Sequence, residues 1–80
     1  MERMVFMTNK IRFRETEDVK EFVAAACRCD FDIDVCYNRI TVDAKSILGV
    51  LSMDLSHDVE VRCHGEDEEF SRLLKKFTVS

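Results

Sequence analysis

The hydrophobic period along this chain changes several times, and each change marks an element. Residues 3 to 8, "RMVFMT", read as a first strand, and residues 9 to 15, "NKIRFRE", are polar and irregular and read as a loop. From Thr16 the period becomes helical: Val19, Phe22, Val23, Ala26 and Cys27 fall on one face of a helix. Thr16 is the expected N-cap, and Glu17 and Asp18 in the first turn suit the helix dipole.

The pattern then switches to strict alternation. Phe31, Ile33 and Val35 alternate with Asp32, Asp34 and Cys36, giving a strand with one wet face. Asn38 and Arg39 make a tight turn, and "ITV" returns as the second strand of a hairpin. Residues 46 to 53 form a short helix with Ile47, Leu48 and Leu51 along one side. "DVEVRCH" alternates again, with Val59, Val61 and Cys63 facing one way, until Gly65 breaks the strand. "EDEEFSRLLKKF" is the last helix, with Phe70, Leu73, Leu74 and Phe77 as its stripe. Its acidic start and its Lys75–Lys76 end both complement the macrodipole. The order is β-α-β-β-α-β-α. That implies an α+β fold, an open-faced sandwich in which three helices cover one face of a four-stranded antiparallel sheet.

Eighty residues, 1–80, make a single domain that buries only about 60–65% of its unfolded surface. The 12 basic and 16 acidic residues are interspersed, a balance that argues against nucleic-acid binding, which needs an excess of Lys and Arg on one face. No apolar run approaches the roughly 20 residues a membrane span needs, and "MERMVFMTNK" is too polar for a signal peptide. The expected location is the cytoplasm. Four cysteines, Cys27, Cys29, Cys36 and Cys63, lack the paired spacing of a zinc site, so no metal and no cofactor is expected. Without a secretory signal they read as reduced thiols, buried or half-buried like small hydrophobes.

One stretch raises a chemical question. In "DAKSILGVLSM", residues 43 to 53, Ser46 stands directly before an apolar run. Serine there is a preferred N-cap, worth about 0.5–2 kcal/mol over alanine, and the cap alone accounts for it. It is also a hydroxyl that a kinase can modify, at a helix start that favours negative charge.

With this helix placed after a hairpin, the chain resembles HPr, the histidine-containing phosphocarrier protein of the bacterial phosphoenolpyruvate-dependent sugar phosphotransferase system. "TNK" at the end of the first strand, Phe22-Val23, "VDAKSILGVLSM" at 42–53 and "VEVRCHGEDEEF" at 59–70 carry the likeness. The family's fold is the one the periodicity gives. Its activity rests on a motif near G-[LI]-H-[AT]-R-P-A, whose histidine accepts a phosphoryl group and whose arginine steadies it. This chain has "IRFRETEDV" there. Aligned backward from Phe22-Val23, the histidine position holds Glu15, the arginine position Glu17 and the proline position Asp18. Aligned forward from "TNK", the histidine position holds Arg14. Neither alignment gives an imidazole, and three carboxylates at the helix start compete for the N–H groups a phosphate would use.

The resemblance therefore implies a divergent member with no catalytic residue, not an enzyme. In the Gram-positive branch of the family, the serine opening the second helix is phosphorylated by an ATP-dependent HPr kinase/phosphorylase, and the product is a corepressor in catabolite control. A paralogue type that lacks the histidine keeps this serine and serves regulation only. Ser46 occupies the matching context. The expected role is a regulatory or protein-binding module, with Lys45, Ile47, Leu48 and Leu51 as the partner patch. HPr kinase/phosphorylase or a transcriptional regulator is the expected partner. Two other readings stay open. One is a phosphocarrier using His57 or His64 as a relocated acceptor. The other is a thiol or metal module on Cys27 and Cys29, weakened because helical neighbours two apart face different ways.

Overall fold

Residues 7–79 are described by the computed structural model of the chain. The elements run β1 (Met7–Ile11), α1 (Thr16–Cys27), β2 (Ile33–Tyr37), β3 (Ile40–Asp43), α2 (Ile47–Leu51), β4 (Val59–Cys63) and α3 (Glu68–Phe77). The strands form one antiparallel sheet in the order β1-β4-β2-β3. This is the β-α-β-β-α-β-α arrangement that the periodicity predicts.

Alternation decides which way each strand faces. Ile11 pairs with Val59, and Val35 pairs with both Val61 and Val42, so these side chains share the helix-covered face. Ile11, Ile33, Val35 and Val61 are fully buried there. The other face carries Thr8, Lys10, Asp34, Thr41, Glu60 and Arg62. On the helix side, Phe22 is fully buried between Phe13 (ring centroids 5.2 Å apart, edge-on) and Phe70 (5.6 Å). Phe13 also packs on Phe77 at 5.8 Å, so one aromatic chain ties the β1–α1 loop to both long helices. Asp67 caps α3, its carboxylate accepting from the Phe70 N–H at 3.0 Å.

Several boundaries differ from the sequence reading. The strand expected at 3–8 contributes Met7 and Thr8 to β1, and residues 3–6 lie outside the described residues. Asn9, Lys10 and Ile11, read as loop, continue β1 because β4 offers them partners from Val61 to Val59. Thr16 is the first helical residue rather than the cap. The N-cap is Glu15, whose extended backbone enters α1 without a side-chain bond, while Asp18 Oδ2 accepts from the Arg14 N–H at 3.0 Å. Cys27, placed on the buried stripe by its period, is exposed. Ala25 is buried instead, because α3 packs along that margin of α1.

The C-terminal residues cover one end of the β1 edge of the sheet. Arg12 N–H donates to Phe77 O and Val79 N–H to Lys10 O, each at 3.0 Å, and Ile11 and Thr78 form a bridge. Gly65 has a packing reason to be glycine. A Cβ there would collide with the ring and Cβ of Phe31. We expect Gly65→Ala to lower stability by about 1–3 kcal/mol in a urea titration, since Phe31 has to shift to admit it.

Candidate functional site

The hairpin turn sets up the segment that carries Ser46. Asn38 takes a left-handed φ of 54° so that Tyr37 and Ile40 pair across two residues, and β3 then runs back to Asp43. There Asp43 Oδ1 accepts from Lys45 N–H at 2.9 Å and Asp43 O from Ser46 N–H at 3.0 Å, which turns the chain sharply. Ser46 follows as the N-cap of α2, as expected. Its Oγ accepts from Gly49 N–H at 3.2 Å and its carbonyl from Val50 N–H at 3.0 Å.

The patch residues do not all face one way. Leu48 is 80% exposed, Leu51 40% and Ile47 36%, whereas Val50 is fully buried. Val50, with Ala44 and Met53 on either side, is the anchor that holds this segment on the core. The sequence reading missed it because three of the four apolar residues of α2 point outward. Lys45 lies on the other side. Its ammonium donates to Cys29 O at 2.9 Å, while the Cys27 thiol lies 3.6 Å from Lys45 O as a donor. Lys45 thus ties the turn to the end of α1, and the outward surface beside Ser46 is Ile47, Leu48 and Leu51.

The β1–α1 loop holds the positions where the resemblance places the phosphoryl acceptor. Arg14, Glu15 and Glu17 are exposed and Asp18 is half-buried, its carboxylate occupied by the Arg14 N–H. Phe13, buried in the core, pins the loop from beneath. Arg12 ties it sideways: its Nη2 donates to Ser56 O at 3.2 Å and its Nε lies 3.1 Å from Asp58 Oδ1. A phosphate at this helix start would meet Glu15, Glu17 and Asp18 beside Arg14, and no imidazole.

The two histidines are separated. His57, about half exposed, stacks on Tyr37 with ring centroids 5.2 Å apart and places Nε2 3.3 Å from Asp54 Oδ2. Hydrogen bonds from the side chain and backbone of Ser56, with the His57 charge adding to them, lower the Asp54 pKa. His64 is largely buried, its Nε2 3.0 Å from Asp34 Oδ2.

Cys29, Cys36 and Cys63 are buried thiols. Burial raises the Cys29 pKa and pushes Cys63 up to about 11, so both stay protonated at neutral pH. Cys29 lies beyond the end of α1, so helical geometry is not what keeps it from Cys27. Its thiol turns inward to Ala25 O at 3.6 Å while Cys27 stays outside. Among the described residues, no group of three or more His, Cys, Asp or Glu side chains is gathered to hold a metal ion. No helix among them is long and apolar enough to cross a membrane.

Residues 16–77 match the family described as the PTS HPr component phosphorylation site. The match begins at Thr16, so Arg14 and Glu15, which hold the acceptor position in the two alignments, lie just before it. Among solved structures, the phosphocarrier protein HPr of Bacillus anthracis str. Ames is similar at 23% identity, over 90% of this chain and 96% of that one, with a TM-score of 0.68. HPr-C-His of Thermoanaerobacter tengcongensis is similar at 26% identity over 88% and 85%, with a TM-score of 0.69. The catabolite repression protein Crh of Bacillus subtilis, an intertwined dimer with a swapping domain, is similar at 21% identity over 100% and 97%, with a TM-score of 0.61. No curated protein sequence matches. With its fold, its strand order and this match over most of its length, the chain belongs to the HPr family of the phosphotransferase system.

Proposed function

We propose that this chain is a single-domain, non-catalytic regulatory module of the HPr family that acts in the cytoplasm, switched by phosphorylation at Ser46. The observation that carries this reading is the exposed Ser46 at the start of α2, next to three exposed apolar side chains. In the modification, Ser46 Oγ attacks the γ-phosphorus of ATP, loses its proton, and ADP leaves. A phosphate on Oγ keeps an acceptor at the cap and adds charge beside Ile47, Leu48 and Leu51, so a partner that docks on this patch can tell the two forms apart. HPr kinase/phosphorylase is the proposed modifying partner, and a transcriptional regulator fits as the reader. Glu15, Glu17 and Asp18 around the start of α1, and the lack of a histidine in the β1–α1 loop, support a role without phosphoryl transfer.

The test is intact-mass analysis after incubation with ATP and HPr kinase/phosphorylase. The expected result is the mass of one phosphate, absent from Ser46→Ala. Unchanged mass in the parent chain would leave Ser46 as a cap alone. The substitution is also expected to cost about 1 kcal/mol in a urea titration, because Gly49 N–H loses its acceptor.

His57 supports a second reading, a carrier with a relocated acceptor. It is exposed, it is oriented by Asp54, and its loop is held against the β1–α1 loop by Arg12. Acid-labile phosphate on His57, delivered by the phosphoenolpyruvate-dependent system, would replace the regulatory reading with this one.

A further inference from the structure

The two edges of the sheet are treated differently. The β1 edge is covered at its Lys10–Arg12 end by the chain's own residues 77–79, as described above. The β3 edge is not covered by any element among the described residues. It is built from Ile40, Thr41, Val42 and Asp43, three of them β-branched, with no proline or lysine to blunt it.

Which backbone groups face outward follows from the register. Tyr37 and Ile40 flank the two-residue turn, Val35 pairs with Val42, and Ala44 N–H donates to Ile33 O at 2.9 Å. Those alternate pairs direct the backbone of Ile40, Val42 and Ala44 toward β2. The N–H and C=O of Thr41, and the N–H of Asp43, therefore point away from the sheet.

We propose that this edge pairs with the same edge of a second copy, antiparallel across a two-fold axis at Thr41, making one continuous eight-stranded sheet. Three features of the edge agree on that register. Thr41 meets the partner's Thr41, so the outward N–H and C=O of each are satisfied by the other. Ile40, 52% exposed, lies opposite the partner's Val42, and both belong to the helix-covered face. Arg39 lies opposite the partner's Asp43, which gives an ion pair at each end of the joined strands. A shift by one residue would set the apolar face of one strand against the polar face of the other, and a shift by two would part the charges. Helix α2 packs over Val42, close enough that a Cβ on Gly49 would lie 3.4 Å from the valine Cβ, so both copies of α2 lie on the same face of the joined sheet. The interface is isologous and closes at two copies.

Sedimentation velocity on the full chain, from micromolar to millimolar concentration, tests the pairing. The expected result is a reversible monomer–dimer equilibrium. In Thr41→Pro, which removes an outward N–H that the monomer does not use, the dissociation constant rises at least roughly tenfold. Arg39→Glu, which sets like charges at both ends, weakens the dimer in the same direction. Should Thr41→Pro fail to fold, Thr41→Cys decides the matter in a background with both Cys27→Ser and Cys36→Ser, the second because Cys36 pairs with position 41 within the chain and would trap it in an internal disulfide. Mild oxidation is expected to give a disulfide-linked dimer from this variant and not from Ile40→Cys, whose copies lie two residues out of step. A monomer at every concentration, a dimer indifferent to Arg39→Glu and Thr41→Pro, or equal cross-linking at positions 40 and 41 would each overturn the proposal.

Discussion

Phe22→Ala is expected to leave most of the chain unfolded at 37 °C. Phe22 is fully buried and touches the rings of Phe13 and Phe70, so truncation removes the shared contact of α1, α3 and the β1–α1 loop. Phe→Ala at a closed site costs about 3–5 kcal/mol, and a domain of this size has little more than that in total. The loss is large because the hole has no way to collapse. Phe13 is held by a loop that Arg12 ties down, and Phe70 sits in the first turn of a capped helix. Urea denaturation followed by far-UV circular dichroism measures it. A cost below about 1 kcal/mol would mean that this aromatic chain is not the centre of the core.

The second large effect separates two neighbours on α2. Leu48→Asp is expected to leave stability within about 0.5 kcal/mol, since the side chain is 80% exposed. It should nevertheless slow phosphorylation of Ser46 by HPr kinase/phosphorylase by tenfold or more, because a charge enters the middle of the apolar patch beside the hydroxyl. Val50→Asp is the inverse case. It puts a carboxylate at a fully buried position with nothing to pair it, so the chain unfolds. Kinase activity and thermal melts on the two variants check both halves. If Leu48→Asp is phosphorylated as fast as the parent, the patch is not what the kinase reads.

These expectations depend on a distinction that the sequence does not carry at α2. Apolar identity places Ile47, Leu48, Val50 and Leu51 on equal terms, and a helix of five residues is too short for its period to separate them. Where elements are longer or strictly alternating, the pattern is enough. Ile33 and Val35, or Val59, Val61 and Cys63, could face only one way. The first strand was harder to read because Asn9, a polar residue, occupies a position on its core face between Met7 and Ile11. Phe13 was hidden for a related reason: it stands alone between Arg12 and Arg14, and nothing local marks it as core.

At the site, Ser46 was legible because a cap is a local device, fixed by the residue and the three that follow it. The inward turn of Lys45 was not, since its acceptor, Cys29 O, is brought there only when α1 and β3 are in place. The same holds for Arg12, whose partners lie more than forty positions along the chain. Local chemistry can be read from a sequence, whereas contacts between distant segments wait for the fold.

The strand order also has a consequence at the ribosome. β1 is the first of the described strands to be made, yet the strand it pairs with among the described residues is β4, in which Ile11 meets Val59 and Met7 meets Cys63. At about 5–20 residues per second, that neighbour is made several seconds later. Meanwhile the β2–β3 hairpin can close by itself, because only two residues separate its strands. The nascent chain thus carries an unpaired strand while the rest of its sheet is being assembled. β4 completes the sheet when it is added, since it pairs with β1 on one side and β2 on the other and so joins the earliest segment to the middle of the chain.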